Sequence, residues 1–170
     1  MSFMQKLAEG HAAEDYVCHI LGKAGYTPRL NEATARKDQS KFDVRFDFFG
    51  RQVSLESKLD AMASQTGNVA IEHWNPRTRQ PSGIMGTRAE LWVQVFLRPL
   101  AAYVARTGDV KRFMDTVPPH RSLQRVGDGN ADIVLYQADT ILPAVFYGLD
   151  ATSPSELQHL LRHLICEGRR

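Results

Sequence analysis

The sequence predicts an α/β fold, with a central mixed sheet of about four or five strands and a long first helix on one face. Three observations carry that expectation. Residues 3–24 read as one helix with a clean stop. Two strictly alternating runs, 42–48 and 53–59, are separated by four turn-forming residues. The chain then closes on a well-capped helix starting after Ser153.

The first helix is expected from Phe3 to Ala24. Ser2 and Gln5 have the spacing of a capping box, Leu7, Val17, Ile20 and Leu21 supply an apolar stripe, and Gly25 followed by Pro28 ends it. Residues Arg29 to Ser40 are polar and aperiodic and read as a loop. Phe42, Val44, Phe46 and Phe48 then share one strand face, with Asp43, Arg45 and Asp47 on the other. In the next run Val53, Leu55 and Leu59 face one way and Ser54, Glu56 and Lys58 the other. Phe49 to Gln52 is the hairpin turn between them.

A third strand is expected at Val69 to Trp74, a loop at Asn75 to Gly86 and a fourth strand at Leu91 to Leu97. Leu100 to Thr116 reads as helical, with a break near Gly108. Ala131 to Tyr136 and Ala144 to Leu149 read as strands. In the last helix Ser153 is the N-cap, Pro154 the first helical residue and Glu156 the capping-box partner, above a stripe of Leu157, Leu160, Leu161 and Leu164. With 170 residues, 43% hydrophobic and 24% charged, the chain has ordinary globular values, and a single domain over residues 1–170 is expected. The net charge of +2 permits nucleic-acid binding without establishing it. Two cysteines, Cys18 and Cys166, read as reduced core thiols. Without a signal-peptide run or a span of about 20 apolar residues, a cytoplasmic chain with no membrane partner is expected.

The chemistry lies in the hairpin. A two-residue turn at Gly50-Arg51, or a four-residue loop, sets Asp43 opposite Lys58 and Arg45 opposite Glu56, with Glu56 diagonal to Asp43. Two carboxylates and an ammonium then share one patch. Mg²⁺ or Mn²⁺ takes oxygen ligands of this kind, often one or two carboxylates plus substrate phosphate. Asp43 and Glu56 supply the carboxylates and Ser57 a carbonyl. The cation would polarise a phosphate oxygen, while Lys58 positions the attacking water or stabilises developing charge.

Asp43, then twelve intervening residues, then Glu56-Ser57-Lys58 on the adjoining strand resembles the signature of the PD-(D/E)XK, or restriction-endonuclease-like, nucleases. Phe42 stands where the family has its proline. Glu14 matches the acidic residue that many members carry on the first helix to complete the metal site. The stretches Thr66 to Glu72 and Gly83 to Trp92 are similar to small phage-type nucleases of this superfamily, including Holliday-junction-resolvase-like ones. The resemblance covers about the first hundred residues. It implies a restriction-endonuclease-like core and a metal-dependent, structure-selective endodeoxyribonuclease that leaves a 5′-phosphate. Glu14, Asp43, Glu56 and Lys58 would be catalytic. A phage-encoded protein acting in a bacterial host fits it. Cutting both strands of a duplex or junction needs two sites, which points to a homodimer.

Glu72 reads either as a supporting acid or as an ion-pair partner of Lys58 or a loop arginine. Lys41 before the Asp43 strand, and Arg77, Arg79 and Arg88 around the Pro/Gly-rich loop, are candidate phosphate contacts. Trp74 reads as core more than as a base-stacking residue, and His73 as a core histidine. His159 and His163 lack the glutamate of a zinc-protease motif and read as surface residues. The rival readings are a binding module that keeps the fold without catalysis, and an unrelated α/β hairpin that imitates the motif.

Overall fold

The computed structural model describes residues 3–31, 42–127, 129–149 and 153–167, with the backbone alone for residues 3–11. Helix α1 spans Phe3–Lys23. It stops at Gly25, whose φ of 86° suits a residue without Cβ. Ser2, its expected N-cap, lies outside the described residues.

The expected mixed sheet is present, with six strands. They are β1 (Arg29–Leu30), β2 (Val44–Phe48), β3 (Arg51–Asp60), β6 (Leu91–Leu97), β7 (Leu100–Arg106) and β10 (Tyr147–Gly148), in the order β1-β2-β3-β6-β7-β10. Among the described residues β3 and β6 run parallel, and the other neighbours in this sheet are antiparallel. One face of this sheet carries Val44, Phe46, Val53, Leu55, Val93 and Val104. It is covered by Ala13, Val17 and Leu21 of α1 and by Leu157, Leu161 and Leu164 of α6 (Pro154–Cys166). The opposite face carries Trp92 and Phe96, beside Glu56, Lys58 and Asp60 on the neighbouring strand.

A second, antiparallel sheet has the order β5-β4-β9-β8. It is built from β4 (Asn68–Asn75), β5 (Gln80–Pro81), β8 (Arg121–Val126) and β9 (Ala131–Gln137). Val69, Ile71, Val134 and Tyr136 bury one of its faces in a second core. Four helices serve that core or connect to it: α2 (Ala63–Thr66), α3 (Gly83–Gly86), α4 (Thr107–Thr116) and α5 (Ala138–Val145).

Several elements differ from their sequence expectations. Arg29–Leu30 forms an edge strand against Val44 and Arg45 instead of a loop. Leu100–Arg106 is a strand, not helix. Its run is apolar on both faces, so alternation is lost, and pairing along Leu91–Leu97 overrides the helix preference of its alanines. Ala144 and Val145 end a helix, leaving only Tyr147–Gly148 as strand. Cys166 is exposed and Cys18 half-buried, so neither is a fully buried core thiol. The capping box at Ser153 and Glu156 is present as expected.

Two arginines of the central sheet tie down the end of α6. Arg106 donates to the carbonyls of Leu164 at 2.5 Å and His163 at 2.6 Å, and Arg51 to that of Ile165 at 3.1 Å. These are carbonyls at the negative end of the helix, where helical donors run out; that of His163 also accepts the Glu167 N–H. Arg106→Ala is expected to lower the unfolding free energy by about 2–3 kcal/mol in urea titrations, the usual scale for hydrogen bonds from a charged donor. No helix among the described residues is long and apolar enough to cross a membrane.

Candidate active site

The site begins with a turn. Phe49 and Gly50 both have positive φ, 52° and 83°, a two-residue hairpin turn whose twist matches the strands it joins. It pairs Phe48 with Arg51, Arg45 with Ser54 and Val44 with Leu55. The register therefore differs by two residues from the one expected from a turn at Gly50-Arg51. A shift of two preserves every side-chain face. Asp43, just before the Val44–Leu55 pair, is thereby set beside the Leu55–Ser57 stretch instead of opposite Lys58.

Strand β2 starts at Val44, while β3 runs on to Asp60. Asp43 thus sits at the strand end, where its side chain takes over from the ladder. Its backbone N–H donates to the Leu55 carbonyl at 2.9 Å, and its Oδ2 accepts the Ser57 N–H at 2.9 Å. The Ser57 hydroxyl lies 3.4 Å from the same oxygen. Because Leu55 and Ser57 turn their backbone groups toward β2, the Ser57 carbonyl points to the Asp43 side, beyond the end of the paired strand.

Glu56 is only 8% exposed. Its Oε1 lies 2.6 Å from Lys58 Nζ, and its Oε2 accepts the Thr87 hydroxyl at 3.2 Å. Burial pushes the Glu56 pKa up, Lys58 opposes that, and the nearby Asp43 charge raises it further. Burial alone would depress the Lys58 pKa, but Glu56 and Asp43, with Glu72 in support, hold it above the usual lysine range. The cluster is two repelling carboxylates balanced by one ammonium. Its oxygen donors, two carboxylates and a carbonyl, fit a hard divalent cation that keeps some of its own waters. Among the described residues, no group of three or more His, Cys, Asp or Glu side chains forms a metal-sized cluster.

A backbone clamp holds the second sheet against this site. Asp60, at the end of β3, accepts the Met62 and Ala63 N–H groups at 3.1 and 2.9 Å through Oδ1 and the Ala70 N–H at 2.8 Å through Oδ2. Gln94 is 1% exposed; it donates to the Ala70 carbonyl at 3.3 Å and accepts from the Trp92 indole at 3.1 Å. Both polar groups of Ala70 are thus fixed by the central sheet, two residues before Glu72. Gly83 packs so closely on Glu72 that a Cβ there would lie 2.3 Å from the Glu72 carbonyl oxygen. Asp60, Thr87 and Gln94 have no sequence signal as site residues, since each becomes legible only once the sheets are packed.

The structure brings Asp43, Glu56, Ser57 and Lys58 together, with Glu72 close enough to act on Lys58. Glu14 is half-buried on α1, next to Ala13, which packs into the core. Arg88 is exposed and follows Thr87, the residue that touches Glu56. Arg77 and Arg79 are exposed on the turn joining β4 and β5. Lys41 lies outside the described residues. His73 and Trp74 are half-buried, His159 is exposed, and His163 pairs with Glu167 at 2.9 Å.

In structure the chain is similar to a bacterial homing endonuclease, with 20% sequence identity over 61% of this chain and 69% of that one, at a TM-score of 0.49. No family model matches the chain, and no curated protein matches it.

Proposed function

We propose that this protein is a metal-dependent endodeoxyribonuclease of the PD-(D/E)XK kind, selective for DNA structure in the manner of Holliday-junction resolvases. The observation that supports the reading is the convergence of Asp43, Glu56, the Ser57 backbone and Lys58 where β3 outruns β2. Asp43 and Glu56 would hold Mg²⁺ or Mn²⁺, with the Ser57 carbonyl and Glu14 as further ligands. A bound cation of this type supplies Lewis acidity at the phosphate and lowers the pKa of the attacking water. Thr87 fixes one oxygen of Glu56, so the carboxylate keeps its orientation. Lys58, held charged beside Glu56, donates to the nucleophilic water or to charge growing on the phosphate oxygens. Lys41, Arg77, Arg79 and Arg88 would grip flanking phosphates. Two copies of the chain would supply one centre per DNA strand.

The test is cleavage of labelled four-way junction, flap, duplex and single-stranded DNA with Mg²⁺ or Mn²⁺. Metal-dependent cutting with preference for the junction is expected. No cutting of any substrate, with binding intact, would replace the nuclease by a DNA-binding module of the same fold. Mn²⁺ should also stabilise the folded protein, by about 2.7 kcal/mol at a hundredfold excess over its dissociation constant. Differential scanning calorimetry reads this directly, and a thermogram that Mn²⁺ leaves unmoved counts against the carboxylate site.

A further inference from the structure

The four-stranded sheet has one buried face and one open face. Register places Ala70, Leu135 and Arg121 in one row of the open face, and Glu72, Ile133 and Leu123 in the next. All six are half-exposed or exposed. Arg121 therefore shares a face with Glu72, two strands across and one row along, roughly 12 Å at the usual strand geometry. Strand β8 is the edge of the sheet and buries none of its residues. At the bulge between Leu123 and Val126, Arg125 has a φ of 53° and gives its backbone N–H to Asp132 Oδ1 at 2.9 Å, leaving the side chain exposed. Arg77 and Arg79 stand on the turn at the other edge.

Four exposed arginines thus stand along the two edges of this sheet. Glu72, on the open face, is near enough to act on Lys58, and Asp132, on the alternate side of β9, accepts the Arg125 backbone N–H. No guanidinium of the four pairs with a described carboxylate.

We propose that the open face and β8 edge of this sheet form the seat for duplex DNA, with Arg121 and Arg125 on backbone phosphates. The inference rests on the reading of the chain as a DNA-cutting protein, and it adds two contacts that the sequence did not mark. A polyanion matches four exposed guanidiniums, none paired with a described carboxylate, along the edges of a sheet that leads to Glu72 and so to Lys58.

The test is fluorescence anisotropy with a labelled duplex arm, in EDTA and on a Glu56→Gln background, across a series of salt concentrations. Adding Arg121→Ala and Arg125→Ala should weaken binding about tenfold or more. It should also reduce the slope of log K against log salt by about 1.8, since each phosphate contact contributes about 0.9. Arg112→Ala, an exposed arginine of α4 that pairs with Asp109, should change neither. Hydrogen exchange on the unaltered protein should show amide protection at 121–126 when DNA is added. Unchanged affinity and slope, or no protection there, overturns the proposal. So does loss of self-association in the double variant with DNA binding intact, which would assign the face to a second copy. Cutting that is indifferent to both arginines removes the seat and leaves the nuclease. Arginine-dependent binding without cutting removes the nuclease and leaves the seat.

Discussion

Glu56→Gln is expected to reduce metal-dependent DNA cutting by roughly 10²–10³-fold or more, the cost of removing one strong electrostatic group from a preorganised site. Glutamine keeps the shape and can still accept from Thr87, so the loss would report the charge and not a collapsed hairpin. The same variant should be no less stable than the parent in metal-free solution at neutral pH. The reason is the sign of the linkage. Burial and Asp43 raise the folded-state pKa of Glu56 above its unfolded value. Between those two values the folded state binds the extra proton. Stability from this group is therefore gained on acidification and lost as pH rises through the folded pKa. Glutamine resembles the protonated form at every pH. Its melting temperature should equal or exceed that of the parent near neutrality, and the advantage should shrink as acid protonates Glu56. Calorimetry in EDTA from pH 4 to pH 8 checks this. A variant that melts well below the parent at pH 7 would mean that the Glu56–Lys58 pair stabilises the fold more than its burial costs.

Asp60→Ala should produce the largest loss of stability. Three N–H groups, of Met62, Ala63 and Ala70, donate to this one carboxylate, which is 7% exposed. Removing it leaves donors in partly or fully buried positions without partners, each costing about 1–3 kcal/mol. The sum is expected at about 3–5 kcal/mol, because the turn at Met62 can admit water while Ala63 cannot. Urea denaturation measures it. Asp60→Asn keeps an acceptor and should recover about half. If Asp60→Ala changed the midpoint as little as an exposed surface substitution, the clamp between the sheets would be an accident of packing.

The hairpin and both long helices were legible because each announces itself locally. Perfect alternation marks 42–48 and 53–59, while glycine and serine caps mark the helix ends. Since alternation fixes the faces, Asp43, Glu56 and Lys58 could be grouped before the turn type was known. The turn itself was not legible: Phe49 at positive φ breaks the usual preference for Asn or Gly, and a turn at Gly50-Arg51 looks the better choice. The second sheet was hidden for another reason. Strand β8, with Arg121, Gln124 and Arg125 exposed, has no buried stripe to set a period. Strand β4 was recognised, but nothing in its own residues says that it leaves the central sheet for another. That choice is made by Asp60 and Gln94, distant in sequence, through the backbone of Ala70.

The positive-φ turn at Phe49-Gly50 also constrains how this chain can vary. The hairpin is a closed path whose two arms must stay equal for the acids to meet. One residue added to each arm lengthens the tip and leaves Asp43 level with the Leu55–Ser57 stretch. One residue added to a single arm slides the arms by one and sends one acid to the opposite face, among the valines and leucines beneath α1. Functional descendants should therefore differ in the separation of these two acids by even numbers only, unless a bulge absorbs the odd residue.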